Sequence, residues 1–346
     1  MKKLITKVIF TGIWLTIHLI SPAQNYELVW SDEFEYSGLP DPDTWTFETG
    51  GHGWGNNELQ YHTDRIENAE VRDSILVITA RKESYGGRDY TSARIITYHN
   101  NLYWKYGKVE ARIRLPYGQG IWPAFWMLGK SIYSVGWPRC GEIDIMEMIG
   151  GDGRENTVHG TVHWDDNGSY ASYGKSVSLS SGIFADDFHI FSIEWDEQKI
   201  LWQMDGKQFN VIDITGAGLS EFHEEFFIIL NVAVGGNWPG SPDSTTVFPQ
   251  EMQVDYVRVY SLQSNIENSG YKGQFQLFPN PSNTQIIIET DEKFINYCII
   301  DNTGKVVGYH PLIDNRIEIS DLQSGIYLLR LENYKGDFVH GKIIKQ

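Results

Sequence analysis

The segment 141–148, Gly-Glu-Ile-Asp-Ile-Met-Glu-Met, sets Glu142, Asp144 and Glu147 among apolar residues, where ionised side chains are costly. In a strand, alternate side chains leave opposite faces. Glu142 and Asp144 therefore share one face, while Ile143 and Ile145 turn into a core. Glu147 is out of phase with that pattern, and one extra residue at Ile145 and Met146, a β-bulge, returns it to the face of Glu142. Two glutamates flanking an aspartate on one sheet face are equipment for glycoside hydrolysis: one carboxylic acid protonates the leaving oxygen and one carboxylate attacks. Strand spacing puts Glu142 and Glu147 about 13 Å apart along the backbone, whereas retention of configuration needs carboxyl groups about 5–5.5 Å apart. Curvature and leaning side chains must close that gap. Two blander uses of the carboxylates fit less well. A solvated edge strand does not need Ile, Ile and Met between its charges, and calcium prefers a loop that wraps the ion in oxygens.

Other side chains suit a sugar-binding cleft. Trp122 and Trp126, four apart, fall on one face of a strand and can form a stacking wall for pyranose rings, although core packing uses tryptophan equally well. Trp137 and Trp238 sit in Gly-Pro turns and project from loops. His163, followed by Trp164 and Asp165, suits a hydrogen bond near Glu147 or the leaving group, against the alternative of a structural histidine. Asn56, in the Gly-rich loop 50–57, and Arg94 have side chains suited to sugar hydroxyls, and surface solvation explains either nearly as well.

Positioning these residues is a task for strands. Short alternating or β-branched runs recur at 74–81, 93–97, 106–115, 188–195, 199–204 and 252–260, separated by Gly, Asn and Asp clusters. No segment sustains a helical period with caps at both ends, so the fold class is all-β, an antiparallel two-sheet sandwich with helix confined to a turn or two near 219–225. Such a sandwich curves one sheet into a cleft. After Tyr260 the polar stretch 262–272 marks a linker, and strands at 285–289, 297–301, 325–330 and 341–346 suggest a small second β-sandwich over 273–346. Tyr297, Tyr309 and Tyr327 leave open a sugar-binding role for that domain.

Lys2, Lys3 and Lys7 precede the apolar stretch 8–20, and Ser21-Pro22-Ala23 offers a cleavage site, so 1–23 reads as a signal peptide and export is expected. No membrane span is expected elsewhere. Removing the three lysines takes the net charge from −17 to −20, which disfavours nucleic acid as a partner and suits a neutral polymer. The only cysteines, Cys140 and Cys298, are too few for a disulfide framework, so stability must come from the core of a domain spanning 24–261. A monomer is the default expectation.

Taken together, the segments 30–34 (WSDEF), 54–60 (WGNNELQ), 122–126 (WPAFW), 141–147 (GEIDIME), 163–164 (HW) and 254–260 (VDYVRVY) resemble family 16 of the glycoside hydrolases, in its laminarinase-like branch, over roughly 26–260. The resemblance implies a β-jelly roll and retaining hydrolysis of internal β-1,3 bonds in laminarin-like β-glucans. Glu142 would be the nucleophile, Glu147 the acid/base and Asp144 their electrostatic partner. It implies no cofactor for catalysis, and a structural calcium held by Glu33, Asp255 and backbone carbonyls. A mixed-linkage β-1,3-1,4-glucanase and a catalytically silent glucan-binding lectin remain alternatives. The elements 278–282 (FPNPS), 325–331 (GIYLLRL) and the terminal KIIKQ resemble a C-terminal sorting domain of the type IX secretion system, implying secretion machinery as a partner and an extracellular or surface location.

Overall fold

The computed structural model describes residues 26–262, 275–290, 292–301, 306–334 and 338–346. The expected signal segment 1–23 lies outside them, as does the expected linker except Leu262, which ends the strand Gln250–Leu262 instead. Two compact units emerge, the larger covering Tyr26–Gln263.

In the larger unit a seven-stranded antiparallel sheet carries the cleft. Its strands are β1 (Thr46–Phe47), β2 (Arg94–Ile96), β3 (Ile121–Gly129), β4 (Glu142–Glu147), β5 (Thr157–Asp166), β6 (Ser169–Ser178) and β7 (Phe226–Val234). They lie in the order β6-β5-β4-β3-β7-β2-β1. A second, larger sheet is built around Gly107–Arg114, Gln250–Leu262, Ile75–Tyr85 and His189–Trp195. One apolar core draws on both sheets, taking Phe125, Met127, Ile143, Leu230 and Val232 from the first and Val109, Ile113, Ile193 and Val257 from the second. This is a nearly all-β sandwich.

The expected run 199–204 is the strand Lys199–Met204, and 106–115 becomes Gly107–Arg114. The turn expected near 219–225 is a 3-10 helix, Ala217–His223. Elements not among the expected runs include the strands Ser169–Ser178 and Phe226–Val234, the 3-10 helix Tyr98–Asn100 and the four-residue helix α1, Ile132–Val135. The last of these lies beside the cleft-bearing sheet. It sits over a small apolar cluster of Ile96, Leu128, Cys140, Phe227 and Ile229, flanked by Ile132, Tyr98 and Tyr103. That cover buries Phe227 and Ile229 on the cleft-side face of β7, whose alternate residues enter the main core.

Gly160 shows how tightly the core supports the cleft. A Cβ there would lie 2.5 Å from Cδ1 of Trp202 and 3.0 Å from Cζ of Phe209. The Trp202 indole in turn donates to the Asp144 carbonyl at 2.8 Å. Gly160→Ala is therefore expected to cost about 1–3 kcal/mol by overpacking, measured by denaturant unfolding, and to lower activity by displacing the strand that carries the carboxylates.

The smaller unit pairs a three-stranded sheet (Phe275–Phe278, Gln285–Thr290, Arg316–Glu318) with a four-stranded one (Phe294–Ile300, Val306–Pro311, Gly325–Asn333, Phe338–Lys345). Its own core contains Ile286, Ile299, Leu329, Leu331 and Ile343. Tyr297 is only 6% exposed and belongs to that core, so it cannot join Tyr309 and Tyr327 in a sugar platform.

Candidate active site

The bulge forms where the residue pattern requires it. Against β3, Glu142 pairs with Leu128, Asp144 with Trp126 and Glu147 with Ala124, with the register shifting after Asp144. Against β5 the same shift separates the Asp144–Thr161 pair from Glu147–His159. Both Ile145 and Met146 enter the core, each essentially inaccessible, while all three carboxylates face the cleft. Burying two consecutive apolar side chains holds the extra residue in place. The neighbours follow a two-residue period: Trp122, Ala124, Trp126 and Leu128 line the cleft from β3, Thr161 and His163 from β5, and Asn231 and Ala233 from β7.

The cleft has a volume of about 650 Å³. It gathers every expected sugar-contacting residue: Asn56, Arg94, Trp122, Trp126, Trp137, His163 and Trp238. Several have duties the sequence did not disclose. Trp122 Nε1 donates to Glu147 Oε1 at 3.0 Å and Trp137 Nε1 to Glu142 Oε2 at 2.9 Å, so each glutamate has its own indole donor. Trp126 is held by Asn231 Oδ1 at 2.8 Å. Trp137 and Trp238 are 51% and 40% exposed, leaving aromatic surface free at the rim. Arg94 lies between the rings of Trp54 and Trp126, 4.9 and 4.8 Å from their centroids, and is paired with Glu48.

His163 sits elsewhere than expected. It pairs in register with Glu142, its Nε2 lies 3.1 Å from Asp144 Oδ2 and 3.8 Å from Glu142 Oε1, and its Nδ1 is 2.8 Å from the Tyr170 hydroxyl. The histidine beside Glu147 is His159, whose ring packs 4.9 Å from Trp238. Sequence reasoning missed His159, beside Glu147, and the cleft residues Tyr170 and Asn231, which strand pairing brings there; Glu58 lines the cleft from the loop before Gln60. Trp54 had a usable signal, since it lies between glycines in the quoted segment 54–60, and it lines the cleft with a left-handed φ of 49°.

Burial pushes all three carboxyl groups upward. Glu142 rises to about 8, from burial first and the Asp144 charge second, opposed by His163 and the Trp137 hydrogen bond. Asp144 rises to about 8 through burial, with a hydrogen bond from Glu142 opposing. Glu147 is raised well above the ordinary carboxylate range by burial, then by the charges of Asp144 and Glu142. Glu147 thus feels the charges of two neighbouring carboxylates, and Glu142 that of one.

Glu33 and Asp255 do not fit the calcium site implied above. Arg258 grips Glu33 through two bonds of 2.8 Å, and Arg112 holds Asp255 at 2.7 Å. Two carboxylates already neutralised by guanidinium groups are poor donors for a hard cation. Among the described residues, the clustered ligand side chains are Glu142, Asp144 and His163, inside the cleft.

Comparison with known proteins agrees with this geometry. Residues 276–346 match the secretion system C-terminal sorting domain, so the chain carries a sorting domain that indicates an extracellular or surface destination. No helix among the described residues is long and apolar enough to cross a membrane. A beta-glucanase of Rhodothermus marinus is 46% identical over 249 residues, covering 69% of this chain and 86% of that protein. The catalytic domain of an endo-1,3-beta-glucanase (laminarinase) from Thermotoga petrophila is 51% identical, with a TM-score of 0.64, covering 69% of this chain and 99% of that one. An endo-1,3-1,4-beta-glycanase, EglC of Rhizobium meliloti, is 34% identical over 66% of this chain, which spans 49% of its length. Some relatives are longer, and the chain spans only 37% and 38% of two of them. Residues 53–258 match the model for glycosyl hydrolases family 16, the stretch that holds the bulged strand and most of its cleft; the chain belongs to that family and is a glycoside hydrolase.

Proposed function

We propose that this protein is an exported, endo-acting, retaining enzyme that cleaves internal β-1,3 bonds of laminarin-like β-glucans, with Glu142 as nucleophile and Glu147 as acid/base. The observation that carries the assignment of roles is the difference between the two glutamates. His163 and an indole donor oppose the burial of each, but Glu147 is raised by the charges of both Asp144 and Glu142 whereas Glu142 is raised by that of Asp144, which favours Glu147 as the proton holder. The linkage reading rests on the printed activity of the Thermotoga relative, an endo-1,3-beta-glucanase (laminarinase).

In the first step ionised Glu142 attacks the anomeric carbon while Glu147 protonates the departing oxygen. Formation of the ester removes the Glu142 charge. Glu147 then loses a like-charged neighbour, its proton affinity falls, and it can accept a proton from the incoming water. Asp144, hydrogen-bonded to Glu142, adjusts the charge that the nucleophile carries. Carboxylates and water suffice for this sequence. Trp122, Trp126, Trp137 and Trp238 supply ring faces to the sugars, and Asn56 and Arg94 supply hydrogen bonds.

On this reading residues 1–23 are a signal peptide, 24–261 the catalytic domain, 262–272 the linker and 273–346 the sorting domain, and the protein works as a monomer. The Rhizobium relative's name supports a second reading, mixed-linkage β-1,3-1,4 cleavage. Incubating the protein with laminarin and lichenan decides between them. Preferential release of oligosaccharides from laminarin, with β configuration at the first reducing end by NMR, is expected. Preference for lichenan would favour the second reading, and an α product would sink the retaining mechanism.

A further inference from the structure

We infer that Glu142, Asp144 and His163 form a binding site for a borderline divalent transition metal of the zinc or copper type, whose occupancy blocks the cleft. The inference rests on the geometry of the cleft and not on the glycosidase reading. One ligand atom from each residue lies within 4.8 Å of the other two. His163 Nε2 is 3.1 Å from Asp144 Oδ2 and 3.8 Å from Glu142 Oε1. Three ligands of a tetrahedral zinc, with bonds of about 2.0–2.2 Å, sit about 3.3–3.5 Å from one another. Small rotations of the side chains reach that spacing.

A second observation points to a ligand here. Asp144 is 2% exposed, and its Oδ2 has no hydrogen bond of proper geometry to any donor, the approach of His163 Nε2 included. A buried acceptor left in that state is costly, and a cation would satisfy it. The surroundings also suit a metal. The Tyr170 hydroxyl stands 2.8 Å from His163 Nδ1. When it accepts the Nδ1 proton, the Nε2 lone pair faces the carboxylates, as the outer partner of a ligating histidine requires. The fourth position opens on the cleft, which leaves room for water. Imidazole with two carboxylates selects zinc or copper over calcium, which needs six or more oxygens. A bound ion would occupy the carboxylate that faces the sugar, so metal and glucan exclude each other.

The test is calorimetric titration of the full, chelator-treated chain with zinc chloride. One ion per chain with sub-millimolar affinity is expected for the unaltered protein and for Glu147→Gln, which leaves all three ligands intact. His163→Gln should weaken binding at least about 10-fold. If His163→Gln fails to fold by circular dichroism, Glu142→Gln, which keeps the side-chain volume, carries the same comparison. Cobalt absorption reports geometry independently, and an intense tetrahedral band is expected. Absence of saturable binding, or equal binding by the ligand variants, overturns the proposal. Because no step reads glucan cleavage, a protein that binds zinc but leaves laminarin intact would refute the function proposed above while this site stood.

Discussion

Glu142→Gln is expected to lower kcat on laminarin by about 10⁴-fold or more, because it removes the atom that forms the covalent intermediate while leaving the cleft intact. The amide keeps the volume of the carboxyl group and can still accept the Trp137 indole bond, which spans 2.9 Å in the unaltered protein. Folding and oligosaccharide affinity should persist. Glu147→Gln loses hydrolysis for a different reason, and the two variants separate cleanly with an aryl glycoside whose leaving group needs no proton. The first step then survives in Glu147→Gln, and a glycosyl-enzyme accumulates that mass spectrometry detects. Glu142→Gln gives no such adduct. An adduct on Glu147 instead would reverse the assignment of roles.

Asp144→Asn is expected to make the catalytic unit more stable at alkaline pH while impairing it as an enzyme. Asp144 holds its proton up to about pH 8 because burial disfavours its charge. A carboxyl group whose folded value is raised contributes stability that is complete below the ordinary carboxylate value and is lost as pH rises through about 8. Asparagine has no proton to lose. The variant's advantage should therefore be absent near pH 4 and full above pH 8, about 2 kcal/mol once the displacement is shared among three coupled groups. For a unit of this size that is about 4–8 °C in thermal midpoint. The charge of Asp144 also raises Glu142 and Glu147, so its removal lowers both. Both limbs of the kcat/KM profile should move toward acid. A thermal gain that is the same at pH 4 and pH 9 would show that charge burial is not its cause.

The two effects share one origin. On the proposed mechanism three buried carboxyl groups share one cleft, and the fold tolerates their mutual repulsion because the core behind them is dense. Ile143, Ile145 and Met146 are essentially inaccessible, and Trp202 anchors the Asp144 carbonyl from the far side. A site that costs stability is the expected companion of activity.

The alternation of Glu142, Ile143, Asp144 and Ile145, broken by Met146 before Glu147, was enough to place three carboxylates on one face, because side-chain direction along a strand is a local property of the backbone. The spacing of Trp122 and Trp126 placed them on the same sheet face for the same reason. The partners lay beyond that reach. That His163 meets Asp144 and Glu142 depends on β4 pairing with β5 in one particular register, and a shift of one residue would have sent the imidazole into the core. Arg94 reaches the cleft only because β2 is carried into the sheet between β7 and β1, where Trp54 from a distant loop closes over it. Glu33 and Asp255 show the reverse case: each is a plausible calcium donor by type, and an arginine that only the folded chain brings near takes each one. Residue type and local period therefore determined which chemistry was available, whereas strand register and long-range packing decided which side chains surround it, since those contacts join residues far apart in sequence.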